Sequence, residues 1–408
     1  MIKHMPDRNH ARFRRRGLAV FFILVVVAAY VGLVYAQPFS TLHPELSYRT
    51  VSAAETQPAL AWPGYGEAAV GAIGYGVLAT HGKQAPIPTA SIAKVITALA
   101  VLKQRPLQPG ESGPTLVLTQ ADVDSYFKYI SMQGSVVGVG VGERISEYQA
   151  LEAMLLPSAN NMAETLARWA FGSIDAYNQY ANNFVQELGL TSIKVTDPSG
   201  FQPTTMASAG DLVTLGQIAM LNPVFAQIVA EPSAVVPVQG TIQNYNFLLG
   251  KDGNIGIKTG NNDQDPGAYL FAFKQAVGSA SVTIVGAVMG GPNLPTVMKD
   301  AKALAASAAK YFKQTTFIHA GDVIGSYDAN GESIQAVAAR DLTLTTWEGY
   351  TFASTAALNT LRGAHKSGES VGRVTLTNTS TRSSDSVPVV LKQNINPPGL
   401  VYRLTHPF

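Results

Sequence analysis

The sequence contains no cysteine, which removes disulfides, zinc–thiolate sites and thiol nucleophiles together. Charge is scarce as well: 14% of the 408 residues are Asp, Glu, Lys or Arg against 46% hydrophobic, a balance that excludes a disordered chain and allows a large core. Lys and Arg total 29 against 27 for Asp and Glu, and much of that excess precedes residue 17, so the remainder is close to neutral. Nucleic acid is therefore not an expected partner. The histidines, His4, His10, His43, His81, His319, His365 and His406, are scattered without the i, i+4 spacing of a metal helix, and neither a metal nor a cofactor is expected. His81, within the central part of the chain, is read as a surface residue. No internal repeat and no long low-complexity tract is found.

One long apolar run is present. Arg12, Arg14, Arg15 and Arg16 precede an uncharged stretch from Gly17 to Ala36, whose length as a helix, at about 1.5 Å per residue, matches a bilayer core of roughly 30 Å. The positive-inside rule keeps the arginines cytoplasmic and sends the rest across. Residues 1–16 are read as a basic cytoplasmic tail and 17–36 as an anchor. The alternative is a cleaved signal, since Val34-Tyr35-Ala36 loosely follows the small-residue cleavage pattern. Residues 37–63, polar and proline-containing, read as a linker.

Past residue 63, periodicity organises the chain. Ala68 to Leu78 predicts a first strand pair. Ile92, Val95, Ile96, Leu99 and Leu102 share one helix face, so a buried helix starts near Ser91 and stops at Pro106. Ser146 to Leu156 and Met162 to Ala170 predict two helices broken at Pro157 to Asn160, with further helices at Ile174 to Leu188, Ala209 to Leu221 and Pro295 to Tyr311. Ile255 to Lys258, Tyr269 to Lys274 and Val282 to Met289 predict strands. Beyond Lys313 short β-type runs alternate with Gly, Asn and Ser, and Ala329-Asn330-Gly331 predicts a hairpin turn. The expected fold class is α+β, an antiparallel sheet with flanking helices, followed by a small all-β domain from about Phe317 to Phe408.

Three short motifs carry chemistry. In Ser91-Ile92-Ala93-Lys94 the first and last residues share a helix face, so an amine reaches a hydroxyl near a helix N-terminus, where backbone N–H groups stabilise an oxyanion. A lysine activates a serine only if burial or a neighbouring cation depresses its pKa. Ser158-Ala159-Asn160, in the break between two helices, offers a hydroxyl for proton relay and a carboxamide for a substrate amide. Lys258-Thr259-Gly260, at a strand end, suits a substrate carboxylate and an extended peptide. Taken singly, each has a plain structural reading: helix surface, helix cap, strand-end turn.

Together, in this order, they match S-x-x-K, S-x-N and K-T-G. With Pro88-Thr89-Ala90 before Ser91, Gly142-Glu143-Arg144-Ile145-Ser146, Leu155-Leu156-Pro157 before Ser158, Asp197-Pro198-Ser199-Gly200-Phe201, Ser208-Ala209-Gly210-Asp211-Leu212 and Gly256-Ile257 before Lys258, the chain resembles the D-alanyl-D-alanine carboxypeptidases among the low-molecular-mass penicillin-binding proteins. The resemblance covers roughly residues 60 to 312 and, more loosely, the β-rich tail. It implies a β-lactamase/transpeptidase-like domain over 64–312, an antiparallel sheet flanked by helices plus a helical subdomain, with the C-terminal β-rich domain at 317–408. It further implies that Ser91 is acylated, Lys94 is its base and Ser158 relays a proton. Asn160 would hold the acyl-side amide, Lys258, Thr259 and Gly260 the terminal carboxylate and its peptide, and the N–H groups of Ser91 and Asn261 the oxyanion. The implied partners are a peptidoglycan stem peptide ending in D-Ala-D-Ala, β-lactams as covalent inhibitors, and the membrane through the N-terminal helix, with the catalytic domain extracytoplasmic.

The chain departs from that pattern at Asn161, where an acidic residue is usual, at Asn262, where threonine is usual, and in a longer Asn261 to Gly267 stretch carrying Asp263 and Asp265. A β-lactamase of class A would need a positioned glutamate. Glu187 is the nearest by order and reads as a solvent-facing helix-end carboxylate. A transpeptidase and a non-catalytic wall-binding scaffold are the remaining alternatives. Trp347, Tyr350 and Phe352 in the tail are read as β-domain core rather than a glycan-binding surface.

Overall fold

The uncharged apolar run from Gly17 to Ala36 suits a helix, which satisfies its own backbone hydrogen bonds, and the computed structural model has helix α1 at Arg8–Ala36. Its apolar side chains are exposed along its length, Phe22 by 69% and Leu33 by 71%. It is the one unbroken helix among the described residues long and apolar enough to cross a bilayer. The structure describes residues 8–36, 40–48, 58–261 and 267–405. His4, His406, Asn262, Asp263, Asp265, residues 1–7 of the basic tail and residues 37–39 and 49–57 of the expected linker lie outside the described residues.

The chain divides into two compact units. The larger spans 55–314 and 345–349. Its sheet has five antiparallel strands in the order Asn254–Gly260, Gly267–Val277, Ala280–Gly291, Glu67–Ala72, Gly76–His81. The helices of this unit are α2 (Ala93–Gln104), α3 (Gln120–Ser131), α4 (Glu147–Leu155), α5 (Asn160–Phe171), α6 (Ile174–Glu187), α7 (Ala209–Leu221), α8 (Pro223–Val229) and α9 (Leu294–Ala309). Side chains alternate across a strand, so Leu270, Ala272, Val285 and Ala287 join α7 in the main core, and Tyr269, Phe271 and Phe273 line the opposite face with centroids 5.9 and 5.7 Å apart. Helix α9, with Val297, Met298, Ala301, Leu304, Ala305 and Ala308 buried at helical spacing, packs on the same strands. As far as Leu102, helix α2 is apolar on every face but for Lys94 and Thr97, and Ala93 to Leu102 are all buried. The α+β expectation holds, and the strands and helices read from periodicity sit where expected to within a few residues.

Helix α3 is not among the elements that periodicity predicts. A capping box of Thr119 and Asp122 starts it. Its buried face is polar: Asp122, Ser125 and Tyr129 meet Thr165, Arg168 and Glu164 of α5. A search for apolar periodicity passes over such a helix.

The second unit comprises the chain up to 54 together with 315–344 and 350–408. Its six-stranded sheet runs Phe352–Leu358, Ser370–Asn378, Ser384–Leu391, Glu332–Ala338, Val323–Ala329, Pro44–Leu46. Asn330 and Gly331, both at positive φ, make the expected hairpin turn. Leu46 pairs with Gly325, Pro44 with Tyr327 and Thr41 with Arg362, so part of the stretch read as a linker is edge strand of this unit. Pro44 fits there because an edge strand tolerates a residue without an N–H. Within this unit, Arg403 of the short helix α10 (Leu400–Thr405) donates to the carbonyls of Tyr35 (3.0 Å) and Val34 (3.3 Å), capping the last turn of α1. Phe352 is buried against Phe317, with centroids 4.8 Å apart, and Tyr350 packs against the same core. Trp347 falls in the larger unit, where it packs on Phe312 at 4.9 Å.

Candidate active site

Ser91 stands on a one-turn 3-10 helix, Ala90–Ile92, that leads straight into α2. One turn on, Lys94 is fully buried, and its Nζ lies 2.8 Å from Ser91 Oγ, 2.7 Å from Asn160 Oδ1 and 2.8 Å from the Ser199 carbonyl oxygen. The spacing of the first motif thus brings hydroxyl and amine together as helix geometry requires. Burial drives the Lys94 pKa well below its ordinary value, and the like charge of Lys258 pushes it further down, against an opposing pull from Asp197.

A second hydroxyl–amine pair lies alongside. Lys258 Nζ donates to Ser158 Oγ at 3.0 Å and to the Thr259 carbonyl at 3.0 Å, and burial holds its pKa at about 7. Ser158 occupies the break between α4 and α5 with φ +66°, and Ala90, just before Ser91, has φ +45°. Such conformations are costly for residues with a Cβ and gather at functional sites. Asn160 opens α5 and is anchored by its own N–H to the Ser135 carbonyl at 2.8 Å.

The Lys258 strand is the sheet edge, paired on one side only within that sheet, and the other side faces the Ser91 turn. A Cβ on Gly260 would lie 3.0 Å from the Thr89 carbonyl oxygen and 3.3 Å from the Ala90 Cβ, so glycine there lets the strand end close on the serine. Thr259 is buried and Asn261 exposed at the strand end. The structure therefore gathers Ser91, Lys94, Ser158, Asn160 and Lys258 into one cluster of hydrogen-bonded pairs and brings Gly260 against the Ser91 turn. A buried amine beside each hydroxyl suits one pair to nucleophilic attack and the other to proton relay, with positive charge available for a carboxylate.

Asn161 is explained locally. Its Oδ1 accepts from Val137 N at 3.1 Å and its Nδ2 donates to the Val137 carbonyl at 2.9 Å, a donor-and-acceptor pairing that a carboxylate cannot make. Glu187 is 65% exposed and pairs with Lys103 at 2.9 Å on the surface. His81 lies on the far edge strand, four places from the Lys258 strand, stacked on Trp62 at 5.4 Å. Sequence reasoning missed the Ser199 carbonyl as the third partner of Lys94. The signal available was the Asp-Pro-Ser-Gly run, a turn-forming composition.

Burying Lys258 costs stability at neutral pH. Its folded pKa lies below the ordinary value of 10.5, so the unfolded chain binds the extra proton between about pH 7 and 10.5, and stability rises with pH through that window. Lys258→Met is expected to stabilise the protein by about 0.5–2 kcal/mol at pH 7 while weakening carboxylate-bearing substrates. Thermal unfolding of variant and wild type from pH 7 to pH 9.5 checks this. The difference should shrink toward pH 9.5, and a difference that is constant or grows defeats the account.

Among known proteins, a family model described as D-alanyl-D-alanine carboxypeptidase matches residues 71–292. The D-alanyl-D-alanine carboxypeptidase DacB2 of Mycobacterium tuberculosis is 37% identical over 191 residues, 45% of this chain and 61% of that protein. A D-alanyl-D-alanine endopeptidase of Pseudomonas aeruginosa is 27% identical over 174 residues, 43% of this chain and 52% of that protein. The chain thus spans between half and two thirds of the length of these curated relatives. The crystal structure of penicillin binding protein 5 from Haemophilus influenzae superposes with a TM-score of 0.57 at 18% identity, covering 84% of this chain and 99% of that one, a likeness of fold.

Proposed function

The chain belongs to the D-alanyl-D-alanine carboxypeptidase family, and from that premise we propose that it is a serine-type enzyme that trims terminal D-alanine from peptidoglycan stem peptides through an acyl-serine intermediate. The observation that carries the reading is the set of three partners around Lys94 Nζ. A neutral amine has two N–H bonds and one lone pair. The Ser199 carbonyl and Asn160 Oδ1 accept the two N–H bonds, which leaves the lone pair for the Ser91 hydroxyl proton. Ser91 Oγ then attacks the carbonyl carbon between the two D-alanines as its proton passes to Lys94. The C–N bond breaks, and the proton taken up by Lys94 passes through Ser158 to the departing amine, which returns Lys94 to its neutral form. Water, giving a proton to the neutral Lys94, next attacks the ester, and Ser91 Oγ leaves with that proton returned to it by Lys94, which frees the shortened peptide as its acid and completes the cycle.

Lys258, with Thr259, is assigned the terminal carboxylate. The incoming anion favours the charged form of an amine whose free pKa is about 7, so binding and protonation reinforce each other. The edge strand through Gly260 pairs with the extended peptide, and the N–H groups of Ser91 and Asn261 are assigned the oxyanion. A β-lactam offers Ser91 a strained amide carbonyl in place of the D-Ala-D-Ala bond and acylates it with the released nitrogen still tethered to the acyl group. The surface pairing of Glu187 with Lys103 gives no support to a class A β-lactamase deacylation.

Helix α1 is assigned as a single-pass anchor with the arginines cytoplasmic and the catalytic unit outside. The test uses membranes of cells expressing the full chain. A fluorescent penicillin should label a band of full-chain size in the membrane fraction, and the same membranes should release D-alanine from diacetyl-Lys-D-Ala-D-Ala. Label on a shorter, soluble chain means that the helix is removed. A folded protein with neither label nor release sinks the enzymatic reading, and label without release points to transpeptidation or an altered substrate pocket.

A further inference from the structure

We propose that Asp197 is a positioning residue for the Ser91–Lys94 pair, acting through the turn it organises. The inference rests on the acyl-serine reading and adds a residue to it. The Asp197 carboxylate is buried and accepts four hydrogen bonds: Oδ2 from Ser199 Oγ at 2.6 Å, from Ser199 N at 3.2 Å and from Phe201 N at 3.0 Å, and Oδ1 from Thr205 Oγ1 at 2.6 Å. Winding 197–201 around that carboxylate leaves the Ser199 carbonyl directed at Lys94 Nζ. The same turn is pinned to the catalytic helix at two further points. Thr97 Oγ1, three residues beyond Lys94, donates to the Pro198 carbonyl at 2.6 Å, and Gly200, with φ +70°, lies so close that a Cβ would sit 1.9 Å from the Ala90 carbonyl oxygen. The turn therefore touches the residue before Ser91, Lys94 itself and the next hydroxyl along α2, with no slack between them.

Function follows from the proton count at Lys94. Of the two acceptors that orient the neutral amine, Asn160 Oδ1 belongs to the second motif, and the other is a backbone carbonyl whose direction Asp197 sets. If that carbonyl swings away, the amine rotates and its lone pair spends less time on the Ser91 hydroxyl. Asp197 also contributes charge. The groups facing Lys94 are Lys258 from the edge strand and Asp197 from the turn, and the field of Asp197 also reaches the phenols of Tyr129 on α3 and Tyr177 on α6. Tyr129 in turn donates to Glu164 at 2.8 Å. Of these, Asp197 is the anion that opposes the loss of basicity imposed on Lys94 by burial and by Lys258.

The experiment measures the rate of acylation by a fluorescent penicillin, as a function of concentration and pH, on the full chain in detergent. Asp197→Asn should slow acylation by about 10- to 100-fold with little change in the affinity of the complex that precedes it. Its acid limb should move to lower pH, because an anion that raised the Lys94 pKa is gone. Thr97→Val loosens the turn and changes no charge, so it should slow acylation several-fold and leave the acid limb in place. If Asp197→Asn does not fold, Thr97→Val decides alone, and a wild-type rate there overturns the proposal. A folded Asp197→Asn with unchanged rate, or with rate and affinity lost together and no displacement of the limb, overturns it as well. A wild-type chain that takes no label overturns the acyl-serine reading itself, and this proposal with it.

Discussion

Ser91→Ala is expected to abolish both covalent labelling by penicillin and D-alanine release, lowering turnover by roughly 10⁴–10⁶-fold, because no other hydroxyl among the described residues occupies the position in front of the Lys94 lone pair. Ser158 is the other serine of the cluster, and its hydroxyl is engaged by Lys258. The substitution removes one hydroxyl on a one-turn helix and leaves the Asn160 and Ser199 bonds of Lys94 intact, so the thermal midpoint should change little. Intact-mass analysis after penicillin treatment is the direct check. A variant that still gains the mass of one penicillin has a different nucleophile, and the assignment of all three motifs would then have to be abandoned.

Lys94→Met should be almost as damaging, with acylation falling by about 10²–10⁴-fold, the range for removing a positioned general base. Since the active form is the neutral amine, wild-type acylation at saturating penicillin, where the bound carboxylate keeps Lys258 charged, should rise with pH through the depressed Lys94 pKa and then level off. The variant has no group at that position to titrate, so its residual rate should lack this limb. The stability effect has the opposite sign to the catalytic one. The folded pKa of Lys94 lies below the unfolded value, so at neutral pH the buried amine opposes folding, and an apolar replacement relieves that cost. A variant that is more stable, far slower and free of the acid limb is the expected combination. Retention of the limb in Lys94→Met would transfer the base role to another group, with Lys258 the first to examine.

The parts of this site that were legible in the sequence are those bound by local geometry. Ser91 and Lys94 are three apart on a helix, and a spacing of three fixes their meeting. Ser158 and Lys258 are a hundred residues apart, and only the resemblance to a known family joined them before the structure put their side chains 3.0 Å apart. The Ser199 carbonyl was invisible for a plainer reason: every residue has one, and what singles it out is the carboxylate of Asp197 turning it inward. The same distinction governs the fold. Apolar periodicity revealed α2, α7 and the central strands because their stability comes from apolar faces, whereas α3 packs through carboxylates, hydroxyls and an arginine. The short strands at Thr41–Leu42 and Pro44–Leu46 carry too few residues for any period, and their partners lie at the other end of the chain.

Those two strands also fix an order of events. Ribosomes deliver Thr41 to Leu46 early, but Val323–Ala329 and Leu361–Arg362, which complete their hydrogen bonds, are made only after nearly all of the catalytic unit. The catalytic unit can mature as it emerges, while the sheet that borrows an edge strand from the front of the chain must wait for the back, closing a loop with a whole folded domain inside it. Throughout that interval Pro44–Leu46 lacks the strand it pairs with in the finished sheet, so an unpaired strand of the β unit stays open while the chain is made.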